Sequence, residues 1–258
     1  MSNHQSRRTA VIAVCGKGGV GKTSVSAAIV KILSENPDNK VLAIDADPAV
    51  GLATAIGVRV QKTVDDIRNE LIRQVKNGTA GGKSEIISRL DYEMFAALEE
   101  HRNIAFLAIG RPETDGCYCQ VNHILRDIIA SIAGNFDYVV IDGEAGIEQV
   151  NRRVMESVTH LILVSDVSAR ALNVARTIKT VSDTVIDYQT VGLILNRVRS
   201  EDERRTVNLP QDIPCLGWLP EDDWIRKFDM AGRSIIDLQD CAALQSVRSC
   251  IDAMNLTV

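Results

Sequence analysis

A glycine-rich loop with two lysines stands between the first apolar run of this chain and its first helical pattern. It reads Gly16-Lys17-Gly18-Gly19-Val20-Gly21-Lys22-Thr23. The string matches G-x-x-x-x-G-K-[ST], and its flanks are those the motif needs: a buried strand over Thr9–Cys15 before it and a helix over Lys22–Leu33 after it. Glycines let consecutive backbone N–H groups turn inward around phosphate oxygens. A helix N-terminus adds its partial positive charge. Lys22 is placed to reach β- and γ-phosphates, and the Thr23 hydroxyl to ligate Mg²⁺. A chain built around this loop must fold as strand–loop–helix there, with a nucleotide as the expected ligand.

The rest of the chain repeats that alternation. Short β-branched runs at Lys40–Ile44, Asn103–Ile109, Tyr138–Ile141, Leu161–Val164 and Val191–Leu195 read as buried strands. Helical patterns cover Val121–Ala133, Gln149–Ser157 and Ala169–Thr184. Pro214–Leu219 adds one more strand and Ala242–Met254 a closing helix. Such alternation predicts an α/β fold, a doubly wound and mostly parallel sheet with helices on both faces. The whole chain, residues 1–258, reads as one domain with a charged helical excursion at about 58–102. The excursion is centred on Thr63–Glu100 and interrupted by glycines at Gly78, Gly81 and Gly82.

Composition removes several function classes. The net charge of −5 does not suit a nucleic-acid binder or a polybasic membrane anchor. Aromatic residues, at 4%, are too few for stacking platforms. No apolar run reaches the roughly 18–20 residues that span a bilayer, and the chain reads as cytoplasmic. Its six cysteines are then thiols, metal ligands or redox groups rather than a disulfide framework.

Two acidic elements follow strands. Asp45 and Asp47 stand in Asp45-Ala46-Asp47-Pro48 after the second strand, and residues i and i+2 of an extended chain point the same way. Asp142 ends the apolar run Tyr138–Ile141, the form of a Walker B strand, and is expected to hold Mg²⁺ through water or to help orient Thr23. Gly143-Glu144-Ala145-Gly146 after it reads as a loop sensitive to the γ-phosphate.

Cys117-Tyr118-Cys119 lies in a Gly- and Pro-containing loop ahead of the Val121–Ala133 helix. Two thiols at i and i+2 are half of a four-coordinate site, and a two-fold dimer supplies the other half. Thiolates select Zn²⁺, Cu(I) or an iron–sulfur cluster, and a planar set takes Ni²⁺. Packing residues or a redox pair are the other readings of the same spacing. His123 is a candidate extra ligand. Cys15, Cys215, Cys241 and Cys250 read as structural.

Lys17-Gly18-Gly19-Val20-Gly21-Lys22-Thr23 resembles the deviant Walker A of the MinD/ParA (SIMIBI) class of P-loop NTPases. The resemblance implies an ATP-dependent homodimer in which Lys17 crosses the interface to the partner's phosphates. It also implies that Asp45 lies near Mg²⁺, and that Asp47 positions the attacking water. Asn196, at the end of Leu193-Ile194-Leu195-Asn196, and the segment around Pro220 and Glu221 match the adenine-contacting parts of that class. Gly116-Cys117-Tyr118-Cys119, with Asp142-Gly143-Glu144-Ala145-Gly146-Ile147-Glu148, resembles the CooC family within it. Those ATPases assist nickel insertion into carbon monoxide dehydrogenase, with a close relative serving acetyl-CoA synthase. The resemblance therefore implies a dimeric ATPase with ATP/ADP, Mg²⁺, and Ni²⁺ or Zn²⁺ on Cys117 and Cys119 of two subunits. Its implied partner is a client nickel enzyme, with no nucleic acid and no membrane. Two rival expectations stand beside it. One is a MinD/ParA-type positioning ATPase. The other is an iron-protein-like electron-transfer ATPase with a bridging iron–sulfur cluster.

Overall fold

A computed structural model describes residues 9–79, 82–111, 119–143, 154 and 158–256. Its strands are β1 (Ala10–Gly16), β2 (Val41–Asp45), β3 (Glu99–His101), β4 (Ile104–Ala108), β5 (Tyr138–Asp142), β6 (His160–Ser165), β7 (Thr190–Val198) and β8 (Cys215–Pro220). They form one sheet in the order β3-β4-β2-β5-β1-β6-β7-β8. Every pairing is parallel except β3 with β4. The helices are α1 (Lys22–Ser34), α2 (Gly51–Ile56), α3 (Val64–Lys76), α4 (Lys83–Ala96), α5 (Cys119–Ala133), α6 (Ala169–Val185), α7 (Glu201–Thr206), α8 (Asp223–Met230) and α9 (Ala242–Ala253), with a 3₁₀ turn at Ile235–Asp237.

The inner strands are apolar on both faces because both faces are covered. β2, β4 and β5 are buried at every position. Along β1, Val11, Ala13 and Cys15 pack with α3, α4, α5 and α6, through residues such as Leu71, Met94, Ile129 and Leu172. Ile12 and Val14 point the other way, into α1, α2 and α9, against Ile29, Leu52 and Leu244. This period-two split is what the strand geometry requires.

The central strands and the long helices agree with the sequence expectation to within one or two residues, β7 running further at its C-terminal end. The helix expected at Gln149–Ser157 lies outside the described residues apart from Val154. Elements not anticipated are β3, α2, α7 and α8. β3 reads Glu-Glu-His and is an antiparallel edge strand, so it carries no apolar signature. The charged segment holds α3 and α4. A capping box starts α3: Thr63 Oγ1 accepts from Asp66 N at 3.1 Å, and Thr63 N donates to Asp66 Oδ2 at 2.8 Å. Lys62 ties the two helices by pairing with Glu70 on α3 and Glu93 on α4.

Strand order decides where the site lies. β5 enters between β2 and β1, so Asp45 and Asp142 become lateral neighbours, and Asp142 stands beside Val14 near the end of β1. Chain connections diverge to either side of β1, which opens a crevice at its carboxyl end.

Candidate functional site: a phosphate loop over two buried carboxylates

The loop leaves β1 at Gly16, where a Cβ would lie 2.2 Å from Val164 O on the neighbouring strand, so only glycine passes. Val20, 1% exposed, anchors the middle of the loop in the core. Gly18 and Gly19 are exposed, with no atom within 4 Å of where a Cβ would stand, so their faces are open. Gly21 precedes α1 in the left-handed region (φ 91°). No side chain caps α1 and no acidic residue occupies its first turn. Its N-terminal N–H groups are left for an anion. Lys22 is buried along its stem, and its Nζ donates to Lys17 O at 3.5 Å. The backbone of Lys17 thus rests on Lys22, while its own ammonium has no partner among the described residues.

Beneath the loop lie the two carboxylates. Asp142 is 1% exposed, and its Oδ1 accepts from Ser26 Oγ at 3.0 Å. Its Oδ2 is buried with no hydrogen-bond partner. Burial pushes this carboxyl up to about 6, against the opposing pull of Thr23, Ser26 and Lys22. Asp45 is fully buried and raised further, to about 7, by burial and by the charge of Asp142 beside it. An orphaned oxygen with the Thr23 hydroxyl close by is a donor set that suits a hard divalent cation. Asp45 is different. Its Oδ1 accepts from Asp47 N at 3.0 Å and its Oδ2 from Leu52 N at 2.8 Å. It ties the turn after β2 to α2 through both oxygens, beside the carboxyl of Asp142. Asp47 is half-buried, and its Oδ1 accepts from Ala49 N at 2.8 Å. That turn passes through Val50 at φ 51° to Gly51, where a Cβ would lie 3.6 Å from the side chain of Thr23.

The expected base contacts converge. Asn196, Pro220 and Glu221 line one pocket of about 280 Å³, whose wall also includes Ser24, Leu219 and Val247. Asn196 has an additional task. Its Nδ2 donates to Val20 O at 2.8 Å, and its Oδ1 accepts from Arg197 N at 2.9 Å. Glu221 is paired with Arg199 at 2.7 Å. Sequence reasoning missed Arg197, whose Nη1 donates to Gly19 O at 2.8 Å. An arginine in an exposed strand tail carries no signal for such a role.

The cysteine pair stands differently. Cys117 lies outside the described residues, and Cys119 is the first residue of α5. His123 is exposed on α5, between Arg126 at 3.0 Å and Asp127 at 3.7 Å. Among the described residues no group of three or more His, Cys, Asp and Glu gathers as a metal site. Cys15 and Cys250 are buried, and burial pushes both thiols up to about 12. Cys215 is exposed rather than packed inside, because β8 is the last strand of the sheet.

The model for the CobQ/CobB/MinD/ParA nucleotide binding domain matches residues 11–235. The chain belongs to this family. It is accordingly an ATPase of the MinD/ParA kind, with the P-loop fold just described. A relative with 36% identity over 233 residues is an uncharacterised ATP-binding protein of Methanocaldococcus jannaschii, covering 89% of this chain and 92% of that protein. Another, 31% identical over 237 residues, is the carbon monoxide dehydrogenase accessory protein CooC of Rhodospirillum rubrum, covering 88% and 89%. Among solved structures, MinD with Mg-ADP from Pyrococcus horikoshii superposes with a TM-score of 0.65 at 24% identity over 96% of each chain. MinD in the MinC:MinD complex of Aquifex aeolicus does so at 0.69 and 20% identity over 97% of each. These two likenesses bear on the fold. No described helix is long and apolar enough to cross a membrane.

Proposed function

We propose that this ATPase is a dimeric metallochaperone that assists nickel insertion into carbon monoxide dehydrogenase or a related nickel enzyme. The observation that carries this reading is the Cys117-Tyr118-Cys119 sequence in a chain 31% identical to a carbon monoxide dehydrogenase accessory protein. The loop N–H groups from Gly18 to Thr23 and the Lys22 ammonium bind the ATP phosphates. Asp142 and Thr23 would hold Mg²⁺, which when bound would supply positive charge against the phosphates. Asp47 orients the water that attacks the γ-phosphorus in line, releasing ADP and phosphate. Lys17 of a second subunit adds positive charge to the transferred group. Catalysis of this kind is positioning plus electrostatics. Asn196, Pro220 and Glu221 contact the adenine. Cys117 and Cys119 of two subunits supply four thiolates to the cargo ion, Ni²⁺ or Zn²⁺, and the nucleotide state tightens or loosens that shared site.

Two features weigh against the positioning-ATPase reading. The apolar stripe of α9, Leu244, Val247 and Ile251, with Met254 just past its end, is buried in the body rather than offered to a bilayer. The net charge of −5 does not suit DNA. An iron-protein reading needs cysteines from separate loops, whereas both lie here in one Cys-x-Cys. Anaerobic equilibrium dialysis with metal analysis tests the proposal. The expected result is one Ni²⁺ or Zn²⁺ per dimer, lost in the double variant Cys117→Ser/Cys119→Ser, with ADP binding retained and affinity falling as the thiolates protonate at lower pH. One ion per monomer, or unchanged binding in the double variant, overturns it and leaves a MinD-like ATPase.

A further inference from the structure

We infer that Asn196 and Arg197 form a clamp that holds the phosphate loop in its anion-binding conformation, with Arg197 as a positioning residue for ATP. Two consecutive loop carbonyls are each taken by one of two consecutive side chains at the end of β7. Arg197 Nη1 donates to Gly19 O at 2.8 Å, and Asn196 Nδ2 donates to Val20 O at 2.8 Å. A loop that turns its N–H groups toward phosphate must turn its carbonyls away, because an inward carbonyl oxygen repels the phosphate charge. The clamp does this for both peptides at once.

Three details show that the arrangement is built. Arg197 is one of four non-glycine residues with positive φ among the described residues, at 60°, a conformation side chains adopt at a cost. That turn sends the guanidinium back toward the loop. Its backbone N–H donates to Asn196 Oδ1, which fixes the orientation of the amide so that Nδ2 faces Val20 O. At Gly21 a Cβ would come within 2.3 Å of Asn196 Nδ2 and 3.8 Å of Arg197 Nη2, so the loop closes directly against the clamp. Arg199, two residues on, is already committed to Glu221. The inference rests on the ATPase fold alone and is independent of the metal reading.

The test compares Arg197→Ala, Arg197→Lys and Arg197→Gly in the full chain. ADP affinity is measured by titration calorimetry in Mg²⁺ buffer, with steady-state ATP hydrolysis and the thermal midpoint alongside. Loss of one charge-assisted hydrogen bond from a pre-formed cradle is expected to raise the Kd for ADP and the KM for ATP about tenfold in Arg197→Ala, with kcat nearly unchanged. Lysine, which also donates to a carbonyl, recovers most of the affinity. Glycine binds as weakly as alanine yet keeps the parent's thermal midpoint or exceeds it, since the left-handed strain is gone. A merely structural residue would move stability and binding together. The inference is overturned if Arg197→Ala binds ADP within about twofold of the parent, if lysine fails to rescue, or if the loss falls on kcat alone.

Discussion

His160 opens β6 with its imidazole partly buried, and burial holds its pKa below the ordinary 6.5. Thr159 beside it stitches β6 to β1, its Oγ1 donating to Val11 O at 2.9 Å and accepting from Val11 N at 2.8 Å. His160 Nδ1 lies 2.7 Å from the same hydroxyl. The folded state thus prefers the neutral ring. As pH falls below 6.5 the unfolded chain binds the proton first, so this residue withdraws stability between 6.5 and its lower folded pKa, and nothing further below that. His160→Gln is expected to lose less stability than the parent between pH 7.5 and 5.5, by denaturant melts of both proteins at each pH. Equal losses would mean that the imidazole titrates normally.

At the scale of elements, α9 ties the two ends of the nucleotide site together. Its buried stripe packs on β8 and α1, β8 carries Pro220 at its end, and Val247 itself lines the pocket beside Asn196. Leu244, 1% exposed, sits in the middle of that contact. Leu244→Ala is expected to cost about 2–5 kcal/mol by removing apolar contact and leaving a cavity. Ser249→Ala, on the exposed side of the same helix, is expected to stay within about 0.5 kcal/mol of the parent. Urea unfolding decides between them, and similar costs at both positions would show that α9 is not packed as described.

For the whole molecule the prediction concerns the second subunit of the proposed dimer. Gly18 and Gly19 are exposed on the loop, and beside them the half-buried Lys17 has an ammonium without a partner among the described residues. If Lys17 serves a neighbouring site, Lys17→Ala binds ATP but neither hydrolyses it nor dimerises. Mixing that variant with Lys22→Ala then restores part of the activity, because one site of each mixed dimer has both lysines. Full ATPase activity from a preparation that stays monomeric by light scattering would refute the crossing lysine.

From the sequence alone, the phosphate loop, the Walker B aspartate and the central strands are legible, because each is written locally. A loop that must bind phosphate needs glycines and a lysine at set spacing, and a strand covered on both faces must be apolar throughout. Cys117 and Cys119 are legible only as a spacing, and the charged run at Thr63–Glu100 only as helix. What the tertiary structure alone decides is neighbourhood. Burial patterns record that β5 is inside, not that it lies between β2 and β1, and only that order sets Asp142 beside Asp45. The same holds for Asn196 and Val20, 176 residues apart, and for Arg197 and Gly19, 178 apart. Asp45 carries a carboxylate that the sequence offers to a metal. The fold adds what the sequence does not show, backbone N–H donors from Asp47 and from Leu52 at the start of α2, because a buried carboxyl must find hydrogen-bond partners.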